Sequence, residues 1–288
     1  MNSKKKTCSS NIIHKINLID FSYPKVMGIL NITPDSFFDG GKYRDEKSIL
    51  KQVEKMLCEG ASIIDVGAYS SKPGANFVSE SEELRRTIPV VNALRKEWGG
   101  VLSIDTTKAS VARAALAAGA EIVNDISGLR WDEEMIEVCH SSGCGIVIMH
   151  MQGEPQTMQA KPSYRDVVSE VRLYFEERFQ TLTAAGIEPE QLCFDPGIGF
   201  GKTLEHNLSL LRGLDQLVAG ERPLLVGLSR KSFIGKVLGD DSPSLREWPT
   251  VALTAATRLQ GALVHRVHAV RENRDALRMA EAVLSAER

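Results

Sequence analysis

Gly119-Ala120-Glu121-Ile122-Val123-Asn124 joins the end of one helix to the start of a strand, and the same phrase recurs along the chain. It returns as Gly60-Ala61-Ser62-Ile63-Ile64-Asp65, as Gly143-Cys144-Gly145-Ile146-Val147-Ile148, and as Gly186-Ile187 leading to Leu192-Cys193-Phe194-Asp195. In each, a glycine supplies the left-handed turn that stops a helix. The apolar run behind it reads as a short strand buried on both faces.

Working outward from these junctions, further strands fall at residues 26–30, 101–104, 224–228 and 262–267. Amphipathic helices fall near residues 46–58, 80–98, 110–118, 204–217, 248–259 and 273–286. The grammar gives eight strands, each followed by a helix, with no Pro/Gly/Ser-rich linker between halves. This predicts the α/β class and a closed (β/α)₈ TIM barrel. An open doubly wound sheet is the alternative that one miscounted strand would produce. Residues 240–246, with Pro243, read as a surface excursion. Residues 1–24 read as a polar extension in which 12–21 alternates loosely enough for a short capping hairpin. Residues 25–288 are then one barrel domain.

The composition narrows the function classes. With 288 residues, 43% hydrophobic and 25% charged, the chain has the makeup of a folded, water-soluble protein. Lys plus Arg total 35 against 37 Asp plus Glu, so no global field would hold nucleic acid or an anionic membrane. No apolar run approaches the roughly eighteen residues of a membrane span. The lysine-bearing start runs into Asn11, His14 and Lys15 instead of a long apolar stretch, so no secretory signal is expected. Cys8, Cys58, Cys139, Cys144 and Cys193 match no disulfide framework, which favours a reducing, cytoplasmic setting.

A barrel places chemistry at the carboxyl ends of its strands. Polar residues gather there: Asn31, Asp65, Asp105, Asn124 with Asp125, His150, Asp195, Ser229-Arg230-Lys231, and Arg266 with His268. A purely structural barrel needs no convergent charge in its mouth, although Ser229 or Asp125 suits a helix cap. Asp105, Asp195 and Lys231 would satisfy a planar ligand with N–H donors, or form an internal ion pair that only supports the loops. Basic residues after strands seven and eight suit an anion. The run Gly197-Ile198-Gly199-Phe200-Gly201-Lys202 matches neither standard nucleotide loop, and marks only a close backbone approach beside Phe200. The six histidines lack zinc spacing. An amide oxygen at Asn31, beside Asp35 and Asp39, suits a hydrated magnesium whose other ligands are phosphate oxygens.

Read in order, these segments resemble the dihydropteroate synthase family. The segments are Gly28 to Phe37, Asp39-Gly40-Gly41, Asp65-Val66-Gly67 with Ser70-Ser71-Lys72-Pro73-Gly74, Ser103-Ile104-Asp105-Thr106, Asn124-Asp125-Ile126-Ser127-Gly128 and Met149-His150-Met151-Gln152-Gly153. They continue with Phe194 to Lys202, Gly227 to Phe233 and Arg266-Val267-His268. The resemblance implies a barrel enzyme, a transferase that joins 6-hydroxymethyl-7,8-dihydropterin diphosphate to 4-aminobenzoate with Mg2+ present. It implies pterin binding by Asp105, Asn124, Ile126, Met149, Asp195, Phe200, Lys231 and Arg266. Diphosphate binding falls to Asn31, Ser71, Lys72, Arg266 and His268, with Asn31 also at the metal. Aminobenzoate binding falls to Phe37, Ser70, Ser71, Pro73, Lys231 and Ser232. Lys72, Lys231, Arg266 and His268 are the implied catalytic residues. The resemblance further implies two loops, at residues 36–41 and 68–77, that close over the diphosphate, and a homodimer built on residues 251–263 and 277–284. Three positions depart from the family pattern: Lys72 replaces an Arg, Tyr69 a Glu, and Ala269 the Asp that usually follows the histidine. A pterin-binding methyltransferase barrel and a noncatalytic pterin-binding protein are the alternatives.

Overall fold

The structure is a computed structural model, and it describes residues 23–32, 42–68 and 78–286. The expected hairpin, Phe37, Ser70, Ser71, Lys72, Pro73, Tyr69 and nearly all of the two expected closing loops lie outside the described residues.

Eight parallel strands alternate with helices. In chain order they are β1 (Lys25–Asn31), α1 (Lys42–Glu59), β2 (Ile63–Gly67), α2 (Glu80–Glu97), β3 (Val101–Asp105), α3 (Ala109–Ala117), β4 (Ile122–Asp125), α4 (Met135–Ser142) and β5 (Gly145–Met149). Then come α5 (Val167–Ala184), β6 (Leu192–Asp195), α6 (Leu204–Arg212), β7 (Leu225–Val226), α7 (Ser232–Leu238), α8 (Glu247–Leu259), β8 (Val264–Val267) and α9 (Val270–Leu284). The junction glycines behave as read: Gly60, Gly119, Gly143 and Gly186 all have positive φ, and Gly143 at 61° caps α4. An additional helix, α7, lies between β7 and α8, and the other differences fall at element ends. Gly213 stops α6 at Arg212, and a 3-10 turn over Leu214–Gln216 takes up the rest of the expected helix. The seventh strand shrinks to two residues, and another short 3-10 turn, Pro243–Arg246, lies in the expected surface excursion.

Strand order runs β6-β5-β4-β3-β2-β1-β8-β7 through seven parallel ladders. The ring closes between β6 and β7 through a single parallel bridge, Phe194 to Leu224, with Phe194 N–H donating to the Pro223 carbonyl at 3.0 Å. The barrel is therefore joined by one rung at this seam, and the open-sheet alternative does not hold.

Side chains alternate across each strand, so one set faces the helices and the other fills the ring. Val26, Ile64, Leu102, Val123, Ile146, Phe194 and Val226 pack outward into the large core shared with the helices. One residue from every strand plugs the bottom of the ring: Met27, Ile63, Val101, Ile122, Val147, Cys193, Leu225 and Val264. Truncating a plug residue such as Met27 to Ala would cost about 2 to 5 kcal/mol. Two positions further along most strands the same face turns polar, with Asp65, Ser103, Asn124, Asp195 and Arg266. The apolar floor thus supports a polar storey under the barrel mouth.

Candidate active site

The polar storey is organised by one guanidinium. Arg266 on β8 donates from Nε to Asp65 Oδ2 at 2.6 Å and from Nη2 to Asp105 Oδ2 at 2.8 Å. Asn124, the register partner of Asp105, donates from Nδ2 to the same Asp65 oxygen at 3.1 Å. Both carboxylates are buried, and their Oδ1 atoms find no hydrogen-bond partner among the described residues. Burial holds Asp105 above the usual carboxylate range. Arg266 opposes that shift, while Asp65, Glu83 and Asp125 add to it. Two carboxylates share one cation, so this corner is short of hydrogen-bond donors.

Across the mouth, Asp195 ends β6 and is buried; its Oδ1 accepts the Gly197 N–H at 2.7 Å. Burial raises its pKa, against the Gly197 hydrogen bond and the charges of Lys231, Lys202 and Arg266. Lys231 follows β7 and extends over the Phe200 ring, with Nζ 3.9 Å from the centroid. The turn that delivers it has Arg230 at φ 57°, a left-handed conformation that costs a side-chain-bearing residue of order 1–3 kcal/mol. Thr250 Oγ1 accepts the Arg230 N–H, and Glu247 accepts its Nε at 2.6 Å, holding the turn. Phe200 packs with Ile126, Met149, Met151 and Met158 in a small apolar cluster of its own. The expected pterin residues thus form two facing parts: a carboxylate corner, and a flat apolar wall topped by an ammonium.

A second group adjoins the carboxylate corner. Asn31 ends β1 opposite Gly67, and a Cβ added to Gly67 would meet Asn31 Oδ1 and Asp105 Cβ, each at 3.5 Å. The missing side chain at Gly67 keeps this gap open. His268 follows β8 with Nδ1 2.8 Å from Ser229 Oγ, and its backbone N–H donates to the same oxygen at 3.2 Å. Ser229, read above as a possible cap, therefore orients the histidine. Ser232 opens α7 and is exposed. Asp125 accepts the N–H groups of Ser127 and Leu129, so it shapes the turn after β4. A cleft of about 510 Å³ lies beside the mouth between Arg130, Trp131, Gln152 and Tyr164, and meets the site at His150 and Met151.

A model of the family described as pterin binding enzyme matches residues 27–268. The chain belongs to that family. A dihydropteroate synthase from Synechocystis is 47% identical over 258 residues, covering 90% of this chain and 89% of the relative. A structure of the Xanthomonas albilineans dihydropteroate synthase with 4-aminobenzoic acid superposes with a TM-score of 0.86 at 40% identity, covering 93% of this chain and 95% of that one. The Burkholderia cenocepacia enzyme complexed with 7,8-dihydropteroate gives 0.83 at 42% identity, covering 92% and 93%.

Within this pterin-binding barrel, three side chains at or behind the site carry no local sequence signal of the contacts they make. Asp65 reads in sequence only as a strand-end residue, yet it anchors both Arg266 and Asn124. Its place in the Asp65-Val66-Gly67 word at the end of the second strand is the available signal that it belongs to the site. His150 and Lys202 are both buried and meet with Nδ1 and Nζ 3.1 Å apart. A lysine closing a glycine-rich loop reads as a solvated residue, and nothing local marks its burial.

Proposed function

We propose that this chain acts as a dihydropteroate synthase, joining 6-hydroxymethyl-7,8-dihydropterin diphosphate to 4-aminobenzoate and releasing diphosphate. The observation that carries this reading is the donor-poor carboxylate corner at the barrel mouth, where buried Asp65 and Asp105 oxygens lack partners. Such oxygens call for a ligand with N–H donors. A pterin presents amino and ring N–H groups along one edge, for Asp105 and Asp195, and carbonyl and ring-nitrogen acceptors for Asn124 and Lys231. The ring would rest against Ile126, Met149 and Phe200. Occupation of the relatives' sites by aminobenzoate and by dihydropteroate supports the same choice.

The chemistry follows from this placement. The carbon–oxygen bond between the pterin methylene and diphosphate breaks, and the electron pair leaves with the diphosphate oxygen. The aminobenzoate nitrogen then uses its lone pair to form the new carbon–nitrogen bond and loses a proton to solvent. An electron-rich dihydropterin spreads the positive charge that develops on the methylene, which favours a dissociative path. Positive groups and hydrogen-bond donors are needed where the leaving oxygen gathers charge. Arg266, His268 and Lys72 fill that role, with Ser229 fixing the His268 ring. Lys231, Ser232, Phe37, Ser70, Ser71 and Pro73 would shape the aminobenzoate site.

Among the described residues no three His, Cys, Asp or Glu side chains cluster as a metal cage. An oxygen-only site completed by phosphate and water fits what is present, with the Asn31 amide oxygen as the protein ligand. Bound there, Mg2+ would neutralise charge on the departing diphosphate. Diphosphate release on mixing protein, Mg2+ and both substrates tests the whole reading. A noncatalytic binder would release none, and a corrinoid-dependent methyltransferase has no use for a diphosphate group.

A homodimer through α8 and α9 is part of the same proposal. Trp248, Leu259, Met279, Val283 and Leu284 are exposed on these helices, while Leu277 is buried in the monomer and drops out of the expected interface. Sedimentation at several concentrations decides it. No helix among the described residues is long and apolar enough to cross a membrane. Among the described residues Cys58, Cys139, Cys144 and Cys193 form no disulfide, which suits the proposed cytoplasmic setting.

A further inference from the structure

Lys202 sits in the glycine-rich loop after β6, yet it is only 2% exposed. Its Nζ lies 3.0 Å from the Gly197 and Phe200 carbonyls, 3.3 Å from the His150 carbonyl and 3.1 Å from His150 Nδ1. An ammonium has three N–H donors, and four acceptors surround this one, so its hydrogen bonding is filled without any carboxylate. The arrangement requires a lone pair on His150 Nδ1, hence a neutral ring. Burial, with the Lys202 and Arg130 charges, pushes the His150 pKa down to about 2. The ring is further enclosed by Tyr164 and Tyr174, with centroids at 6.0 and 4.9 Å.

The four acceptors belong to two loops. His150 follows β5, whereas Gly197 and Phe200 follow β6. The loops touch through their backbones: a Cβ on Gly197 would sit 2.0 Å from the His150 carbonyl oxygen, and one on Gly201 would sit 2.2 Å from that of Gln152. Lys202 closes this junction from inside. The two parts that hang on it are both in the proposed pterin site. Gly197 donates its N–H to Asp195, and Phe200 lies under the Lys231 ammonium.

We infer that Lys202 is a positioning residue for pterin recognition: its ammonium, with His150, ties the two loops together and fixes the Asp195 carboxylate and the Phe200 ring against the ligand. The inference rests on the pterin reading above. Lys202 also contributes charge. Asp195 is faced by Lys202 from its own loop, Lys231 from the β7 loop, Arg266 from β8 and the Gly197 N–H, all of which favour the carboxylate against burial. Lys202 is faced by Asp195 and Lys231, and burial lowers its pKa to about 7. It therefore carries its charge on the acid side of neutrality, where it favours the Asp195 carboxylate over its protonated form. Without that charge Asp195 takes up a proton at higher pH and loses an acceptor for the ligand.

Lys202→Met keeps an unbranched stem of similar reach and removes the ammonium. Calorimetry with 6-hydroxymethylpterin, which lacks the diphosphate, should show binding weakened about 10- to 100-fold at pH 6, where Lys202 carries its charge, the factor expected for losing charge-assisted hydrogen bonds. The acid limb of binding should move to higher pH. Unchanged affinity, or a loss by one constant factor at every pH, overturns the inference, because packing alone would give a constant factor. If Lys202→Met does not fold, His150→Phe tests the same junction by removing the ring acceptor; it should weaken pterin binding severalfold, and unchanged binding overturns the inference. Asp195→Asn in parallel separates the two levels. If that variant binds pterin normally, the pterin reading itself is wrong; if it alone loses binding, only the role of Lys202 falls.

Discussion

Ala269 offers a direct test of how the last helix is started. It occupies the N-cap of α9 with φ −93° and ψ 91°, the extended conformation of a cap, but makes no side-chain cap hydrogen bond. The first-turn N–H groups of a helix lack intrahelical partners. Here the residue three positions on is Glu272, so Ala269→Ser would complete the Ser-x-x-Glu pattern in which side chain and backbone satisfy each other at both ends. The helix is already held by burial of Asn273, Leu277 and Ala280 and by the Asn273 Nδ2 bond to the Ala269 carbonyl at 2.7 Å, so little ordering remains to oppose the gain. Replacing Ala by Ser or Asp at a cap is worth about 1 kcal/mol, within 0.5 to 2. Asp adds about 0.3 to 1 kcal/mol from its charge near the helix N-terminus. For a chain of this length 1 kcal/mol corresponds to roughly 2 °C in melting temperature. Urea unfolding should show the midpoint rising in both variants with the m-value unchanged. Because Ser229 orients His268 independently of residue 269, Ala269→Ser should bind diphosphate and Mg2+ within about twofold of the parent. A midpoint unmoved in both variants would refute the cap argument. A gain with Asp and none with Ser would reduce it to a charge effect.

Asp195→Asn should weaken binding of a dihydropterin lacking diphosphate by about 2 to 5 kcal/mol, read by calorimetry, since an acceptor facing ligand N–H groups becomes a donor. Burial raises the pKa of Asp105 in the folded chain above its unfolded value, so the folded state keeps protons that the unfolded state has released. That contribution to stability is complete below about pH 4 and is lost as pH rises towards neutrality. Asp105→Asn should therefore flatten the decline of urea stability between pH 4 and 7.5; an identical decline in both proteins would count against the raised pKa. Lys72→Ala should weaken pterin diphosphate far more than the pterin alcohol, because only the former carries the compensating charge, and equal losses would remove Lys72 from the anion site.

The barrel was readable because its information is local and repeated. A glycine that must adopt positive φ, followed by an apolar run, marks each helix-to-strand junction without reference to distant residues. β7 is harder, because the Gly227 and Arg230 turn structure takes over its end and leaves a two-residue ladder. Within the site, Asp105, Asn124, Asp195, Arg266 and His268 were recognisable from their strand-end positions. Asp65 shares that position, but its work is to hold Arg266 and Asn124 from strands far away in sequence, and no local pattern encodes such a pairing. Lys202 and His150 were missed for the same reason: their burial comes from two loops pressed together, which a one-dimensional pattern does not record.

The single rung between β6 and β7 bears on what substrate does to the protein. Asp195 stands at the end of one flanking strand and Lys231 just beyond the other, so a heterocycle held by both would span the junction where the ring has least backbone hydrogen bonding. Bound pterin would then act as a brace across the seam, restraining the two strands through side chains where only one main-chain rung does so. Amide hydrogens around Leu224 and Phe194 would be among the earliest in the barrel to exchange in the empty protein, and ligand would slow them more than amides in the β2–β3 ladder. Occupancy could then be followed through the mechanical integrity of the barrel itself.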